Sequence, residues 1–182
     1  MNKFLSILAL ACVIGLAGAA AQAKSSVEVS FAFTRQTGSG SNQFAVWIED
    51  SAGRHIKTLF ATRFTARGGW QKREQSIPQW VKQSALSKMT TGEIDAFTGA
   101  TPSVSTQTFT WNGTDAKGAA VPAGEYRVHV EATLRGEDRV IYSAAVQLGG
   151  AGGEAEVKSR YFGTGTSERG MIGGVKVRVI PQ

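Results

Sequence analysis

The sequence predicts an all-β fold: an antiparallel β-sandwich with one short inserted helix. Three observations carry that prediction. Apolar residues recur with a period of two in run after run, Gly, Pro and Asp clusters separate the runs, and a single stretch departs to helical spacing. The chain has 182 residues, enough for one domain with a proper hydrophobic core and short for two.

The first residues, "MNKFLSILALACVIGLAGAAAQA", have a basic start at Lys3, an apolar run, and small residues ending in Ala21-Gln22-Ala23. That is the pattern of a secretory signal peptide, so residues 1–23 are expected to be cleaved and 24–182 to form one domain. The run from Phe4 to Ala21 is only just long enough to span a bilayer, is rich in Ala and Gly, and has no basic stop after it. No membrane span is expected after cleavage, and the expected location is the periplasm. Cys12 is preceded by "ALA", without the Leu three positions upstream that lipid attachment favours. It therefore leaves with the leader, and thiol chemistry and Cys-based metal sites leave with it. The formal net charge is +6. Losing Lys3 leaves a mildly basic chain with no Lys/Arg block of the kind that tracks nucleic acid.

The strands follow in order. "VEVSFAFTR" puts Val27, Val29, Phe31 and Phe33 on one face, and "FAVWIED" does the same for Phe44, Val46 and Ile48, leaving Trp47 opposite. "DSAGR" turns the chain through Gly53. "SIPQWVKQSALSKM" then breaks the pattern. Ser76 stands where an N-cap belongs and Pro78 in the first turn, while Ile77, Trp80, Val81, Ala85 and Met89 fall at helical spacing. One amphipathic helix is expected there, with Trp80 in the core.

Further on, "GEYRVHVEATLRG" alternates Tyr126, Val128, Val130, Ala132 and Leu134 with Arg127, His129, Glu131, Thr133 and Arg135. One buried face and one wet face are expected, with His129 solvated. "RVIYSAAVQL" and "VKVRVI" complete the strands. "LGGAGGE" is expected to be a hairpin loop, and "YFGTGTSERGMIGG" a long loop.

"VWIEDSAGRHIKTLF" and the later "TFTWNGTDAKGAAVPAGEYRVHVEA" resemble the Ig-like domain of the flagellar hook capping protein and related secreted modules. The resemblance implies an Ig-like sandwich, with Trp111 plugging one end, Gly118 left-handed at a hairpin tip, and Pro122 at a strand entry. Between these pieces lies an insert at about 61–107. The strands, the insert and the heptapeptide "DAFTGAT" together look like a family of predicted periplasmic proteins filed as a domain of unknown function.

That heptapeptide, Asp95 to Thr101, resembles the acceptor pattern of proteins modified by the FAD:protein FMN transferase. Asp95, Thr98, Gly99, Ala100 and Thr101 match its fixed positions. The resemblance implies FMN esterified to the Thr101 hydroxyl and a role as an electron-transfer component with extracytosolic or membrane redox partners. A hydroxyl used in this way must project from an accessible loop, with small residues keeping the approach clear. Arg63, Arg67 and Lys72 are sequence-near candidates to neutralise the phosphodiester, and Phe97 and Trp70 to stack on the ring. The plainer alternative is an Asx-type turn in which Gly99 serves only the bend.

Two other functions stay open. One is a non-enzymatic Ig-like binding or assembly module of the cell envelope. The other is a secreted hydrolase using Glu93 with Asp95. His55 and His129 lack metal-ligand spacing, and no Gly-x-Ser-x-Gly elbow is present.

Overall fold

The computed structural model describes residues 25–37, 41–164 and 169–181. The expected leader and Cys12 lie outside them. Two sheets face each other. One has four strands in the order β5-β1-β10-β8, and the other six in the order β4-β3-β2-β6-β7-β9. The strands are β1 (Ser25–Phe33), β2 (Gln43–Asp50), β3 (His55–Thr62), β4 (Thr98–Gly99), β5 (Ser105–Trp111), β6 (Gly124–Arg135), β7 (Asp138–Leu148), β8 (Gly153–Glu154), β9 (Val157–Phe162) and β10 (Ile172–Pro181). The pairings are antiparallel except that of β3 with β4. The all-β sandwich predicted from period-two patterning is the fold observed.

The residues expected on inner faces are the ones buried between the sheets. Val27, Val29, Phe31 and Phe33 from β1 meet Phe44, Val46 and Ile48 from β2 and the alternate residues of β6. At the centre, Phe44 touches Phe31 edge-on at 5.5 Å and stacks on Phe60 at 5.0 Å, arrangements that add to the area each ring buries. Trp111 closes one end of the sandwich. It is fully buried, lies edge-on to Tyr126 at 4.9 Å, and donates its indole N–H to the Thr114 carbonyl. The Tyr126 hydroxyl donates to the carbonyl of Pro122, four residues upstream, in the manner of the tyrosine corner of Ig-like sandwiches. Gly118 is left-handed at φ +85°, as its hairpin-tip position requires.

The structure departs from expectation on the other side of the six-stranded sheet. His129, Glu131 and Thr133 are buried rather than wet, because the insert lies over them as a third layer. That layer has its own small core of Ala45, Trp47, Ala61, Ala66, Ile77, Trp80 and Leu86. With β3 ending at Thr62 and β5 beginning at Ser105, the insert spans residues 63–104, a little less than expected.

Within the insert the expected single helix is broken. Its parts are α2 (Pro78–Gln83) and a 3-10 turn at Leu86–Lys88, separated by Ala85 in the left-handed region at φ +52°. A short irregular turn (Thr65–Gly69) leads into α1 (Trp70–Lys72) before it, and α3 (Thr91–Asp95) follows it.

Ser76 does not cap α2. The residue ahead of the helix is Ile77, itself left-handed at φ +42° and without a side-chain cap. The cap comes from the sheet instead. The fully buried carboxylate of Glu131 accepts the amides of Gln79 at 3.2 Å and Trp80 at 2.8 Å, and pairs with Arg139 at 3.0 Å. Thr133 accepts the Ile77 amide at 2.8 Å and donates to the Gln75 carbonyl at 3.0 Å. A positive φ at a β-branched residue is strained, and here the Thr133 bond and the full burial of Ile77 hold it.

Besides the two-residue β4, two strands were not anticipated. Gly153–Glu154, inside the expected loop, pairs with β10, and Val157–Phe162 forms an edge strand beside β7. Tyr161 and Phe162 therefore belong to β9 rather than to the long loop, of which residues 165–168 lie outside the described set.

Replacing Glu131 by Ala strands two helix amides and the Arg139 guanidinium without an acceptor. The expected loss is about 3–5 kcal/mol of unfolding free energy, the range for breaking a buried charged pair by removing one partner. Glu131→Gln, which keeps one acceptor oxygen, should lose less. Urea denaturation measures both, and a Glu131→Ala loss below about 1 kcal/mol would contradict the capping role.

Candidate functional site

The segment that carries Asp95–Thr101 is held from both ends. At its start, α3 opens with a reciprocal cap: the Thr90 hydroxyl accepts the Glu93 amide at 3.3 Å, and the Glu93 carboxylate accepts the Thr90 amide at 2.8 Å. That closes two orphan helix donors in a helix too short to form alone. After the helix, the Phe97 carbonyl accepts the Ala61 amide at 3.1 Å, and Thr98 and Gly99 run parallel to Ala61 and Thr62 at the sheet edge. From Ala100 the chain leaves this sheet, and it joins the opposite sheet at Ser105 in β5.

Asp95 is exposed and ion-paired with Arg67. Thr98 and Gly99 are half-buried, Ala100 is exposed, and Thr101 is half-exposed in backbone without regular structure. Among the described residues the Thr101 hydroxyl makes no hydrogen bond, and neither Asp95 nor Thr98 spends its side chain on an Asx-type turn. Gly99 has a packing reason to be glycine. A Cβ there would stand 2.5 Å from the Phe60 ring, closer than side-chain carbons approach.

The sequence-near partners are mostly engaged elsewhere. Arg67 is taken by Asp95. Phe97 lies edge-on to Trp80 at 5.9 Å, and Trp70 packs on the insert core. Arg63 and Lys72 are exposed. An aromatic that sequence reasoning missed is Phe64, 46% exposed, with the Arg73 guanidinium 5.6 Å from its ring centre. Phe64 and Thr101 each lie two residues beyond the last parallel pair, Thr62 and Gly99.

The carboxylates weighed as a hydrolytic pair are both committed, Glu93 to its cap and Asp95 to Arg67. His129 is not solvated. It is buried, stacked on Trp47 at 4.8 Å, with Nδ1 2.9 Å from the Ser143 hydroxyl and Nε2 3.2 Å from the Glu49 carboxylate. The last contact lacks hydrogen-bond alignment, so the row is a polar bridge across three strands rather than an aligned Ser-His-Glu relay.

A cavity of about 400 Å³ opens beside the heptapeptide, between β3, α3 and the hairpin tip that joins β5 to β6. Met89, Ala96, Phe97 and Ala116 give it apolar walls, and His55, Lys57 and Lys117 add basic groups. Its residues come from three separated segments, which is why sequence spacing did not disclose it. Among the described residues no cluster of three or more His, Cys, Asp or Glu is placed to hold a metal. No helix among them is long and apolar enough to cross a membrane.

Burial lowers the His55 imidazole to about 4, only partly opposed by the Glu49 charge. Between pH 6.5 and 4 the unfolded chain takes up a proton that the folded chain refuses, so this group's contribution to stability falls as pH falls. Native protein should therefore lose more stability than His55→Gln between pH 7 and pH 5. Allowing for partial exposure, the difference is on the order of 1 kcal/mol. Urea unfolding at the two pH values measures it, and equal losses would contradict it.

No curated protein and no solved structure matches the chain. A family model does match, over residues 24–164, and its description is "Predicted periplasmic protein (DUF2271)". That match takes in β1 through β9, the whole insert, the heptapeptide and the cavity. With that span covered, the chain belongs to the DUF2271 family of predicted periplasmic proteins.

Proposed function

We propose that the chain is an exported flavoprotein, carrying FMN through a phosphoester on Thr101 and passing electrons between extracytosolic redox partners. The observation that carries this reading is a half-exposed hydroxyl without a hydrogen-bond partner among the described residues, set at the end of Asp95-Ala96-Phe97-Thr98-Gly99-Ala100-Thr101. The periplasmic assignment of the family supports it, since the transferase acts outside the cytoplasm.

The attachment step balances without any oxidant. The Thr101 oxygen attacks the FMN-side phosphorus of FAD, the phosphoanhydride bond breaks, AMP leaves, and the hydroxyl proton passes to the transferase. The chain has to present that oxygen on backbone an enzyme can grip. The pairing of Thr98 and Gly99 with β3 fixes one side of the approach, and small, exposed Ala100 keeps it clear. Exposed Arg63 and Lys72, with Arg73 beside Phe64, supply positive charge for the phosphodiester. Phe64 offers an apolar face to a planar ring. When bound, the flavin supplies the electron transfer, and the protein supplies position and charge.

Intact-mass measurement after co-expression with an FAD:protein FMN transferase tests the reading. An FMN-sized adduct is expected on the native chain and on Thr101→Ser, and none on Thr101→Ala. An unmodified native chain, or an adduct that survives Thr101→Ala, would overturn it.

A further inference from the structure

The cavity under Phe97 combines apolar walls with basic groups, and Thr101 is not among its lining residues. Its floor is β3. There the Trp80 indole donates to the Thr58 hydroxyl at 3.0 Å, and that hydroxyl stands 2.9 Å from His55 Nε2. The indole takes one lone pair of that hydroxyl, and Nε2 is the acceptor left for the hydroxyl hydrogen among the described residues, which assigns the ring proton to Nδ1. Among the described residues that Nδ1–H has no acceptor. It is a donor left over in a pocket whose other walls are the Phe97 ring, the Met89 side chain, Ala96 and Ala116.

Charge narrows the ligand further. Lys57 and Lys117 both line the cavity, and Lys57 is steadied by its bond to the Thr114 hydroxyl at 2.7 Å. The carboxylate there, Glu93, is turned to its cap on Thr90. A volume of about 400 Å³ falls at the small end of ligand pockets, which pair apolar walls with a few placed polar groups. We propose that this cavity binds a small, flat organic anion. Its apolar body would lie against Phe97 and Met89, and its anionic group would be met by Lys57, Lys117 and the His55 Nδ1–H.

Gly92 gives a clean way to close the site. It lines the cavity, and a Cβ built on it meets nothing within 4 Å, so Gly92→Phe can fill the space without backbone strain. Titration calorimetry of the full chain with 2-naphthoate as the probe is the test, with circular dichroism confirming that each variant is folded. One-to-one binding is expected. It should weaken at least tenfold in Gly92→Phe and for neutral 2-naphthol, weaken severalfold in Lys57→Met, and stay unchanged in Thr101→Ala. No binding at millimolar probe, or native-like binding by Gly92→Phe or Lys57→Met, would overturn the proposal. So would loss of binding on FMN attachment, which would assign the cavity to the flavin ring instead.

Discussion

A single carboxylate ties the two halves of this molecule together. Glu131 stands in the middle of β6, fully buried, and its oxygens are claimed by the Gln79 and Trp80 amides and by Arg139. Burial pushes its carboxyl above the ordinary range, and the two amides and Arg139 oppose that rise. An ionisable group in such a place is costly unless every lone pair is met. The insert supplies two of the partners through its amides, and Arg139 of β7 supplies the third. In return the sheet provides what the insert cannot make for itself, an acceptor for the start of α2, whose own N-cap position is a left-handed isoleucine with no side-chain oxygen. Docking of α2 sets Trp80 over Thr58, Phe97 over Trp80, and so the path by which the chain reaches the sheet edge at Thr98. The placement of Thr101 and the roof of the cavity both descend from that polar contact.

The sandwich was legible because its inner faces obey a period of two and its turns carry the residues those turns need. Trp111, Gly118 and Pro122 sit as the hairpin pattern implied. What was not legible is the third layer. Polar residues at alternate positions of β6 look like a wet face to any local reading, and only the insert, folded back from elsewhere in the chain, makes His129, Glu131 and Thr133 internal. The same cause hid the helix cap, since the oxygen that serves α2 lies more than fifty residues from it. Short pairings such as β4, two residues long, have too few positions to show a period. The site divides in the same way. Asp95–Thr101 is contiguous and could be singled out by its pattern, whereas the cavity and Phe64 depend on which strands and turns become neighbours.

The position of the heptapeptide suits a modified residue better than a plain turn. A turn would spend the Asp95 and Thr98 side chains on local amides, yet Asp95 reaches across to Arg67 and Thr98 makes no side-chain hydrogen bond among the described residues. Gly99 is fixed by the Phe60 ring, so Phe97, Thr98 and Gly99 form a packed base and the chain from Ala100 onward leaves the sheet. A base of this kind limits how far the Thr101 acceptor can wander.

The most direct measurement is fragment mapping of the tryptic peptide Met89–Lys117, taken from protein made in a cell that exports it and carries the transferase. That peptide holds both Thr98 and Thr101 along with other hydroxyls, so its fragment ions assign the modified oxygen residue by residue. An FMN phosphoester on Thr101 alone is expected. An unmodified peptide, or flavin on Thr98 or any other hydroxyl, would contradict it.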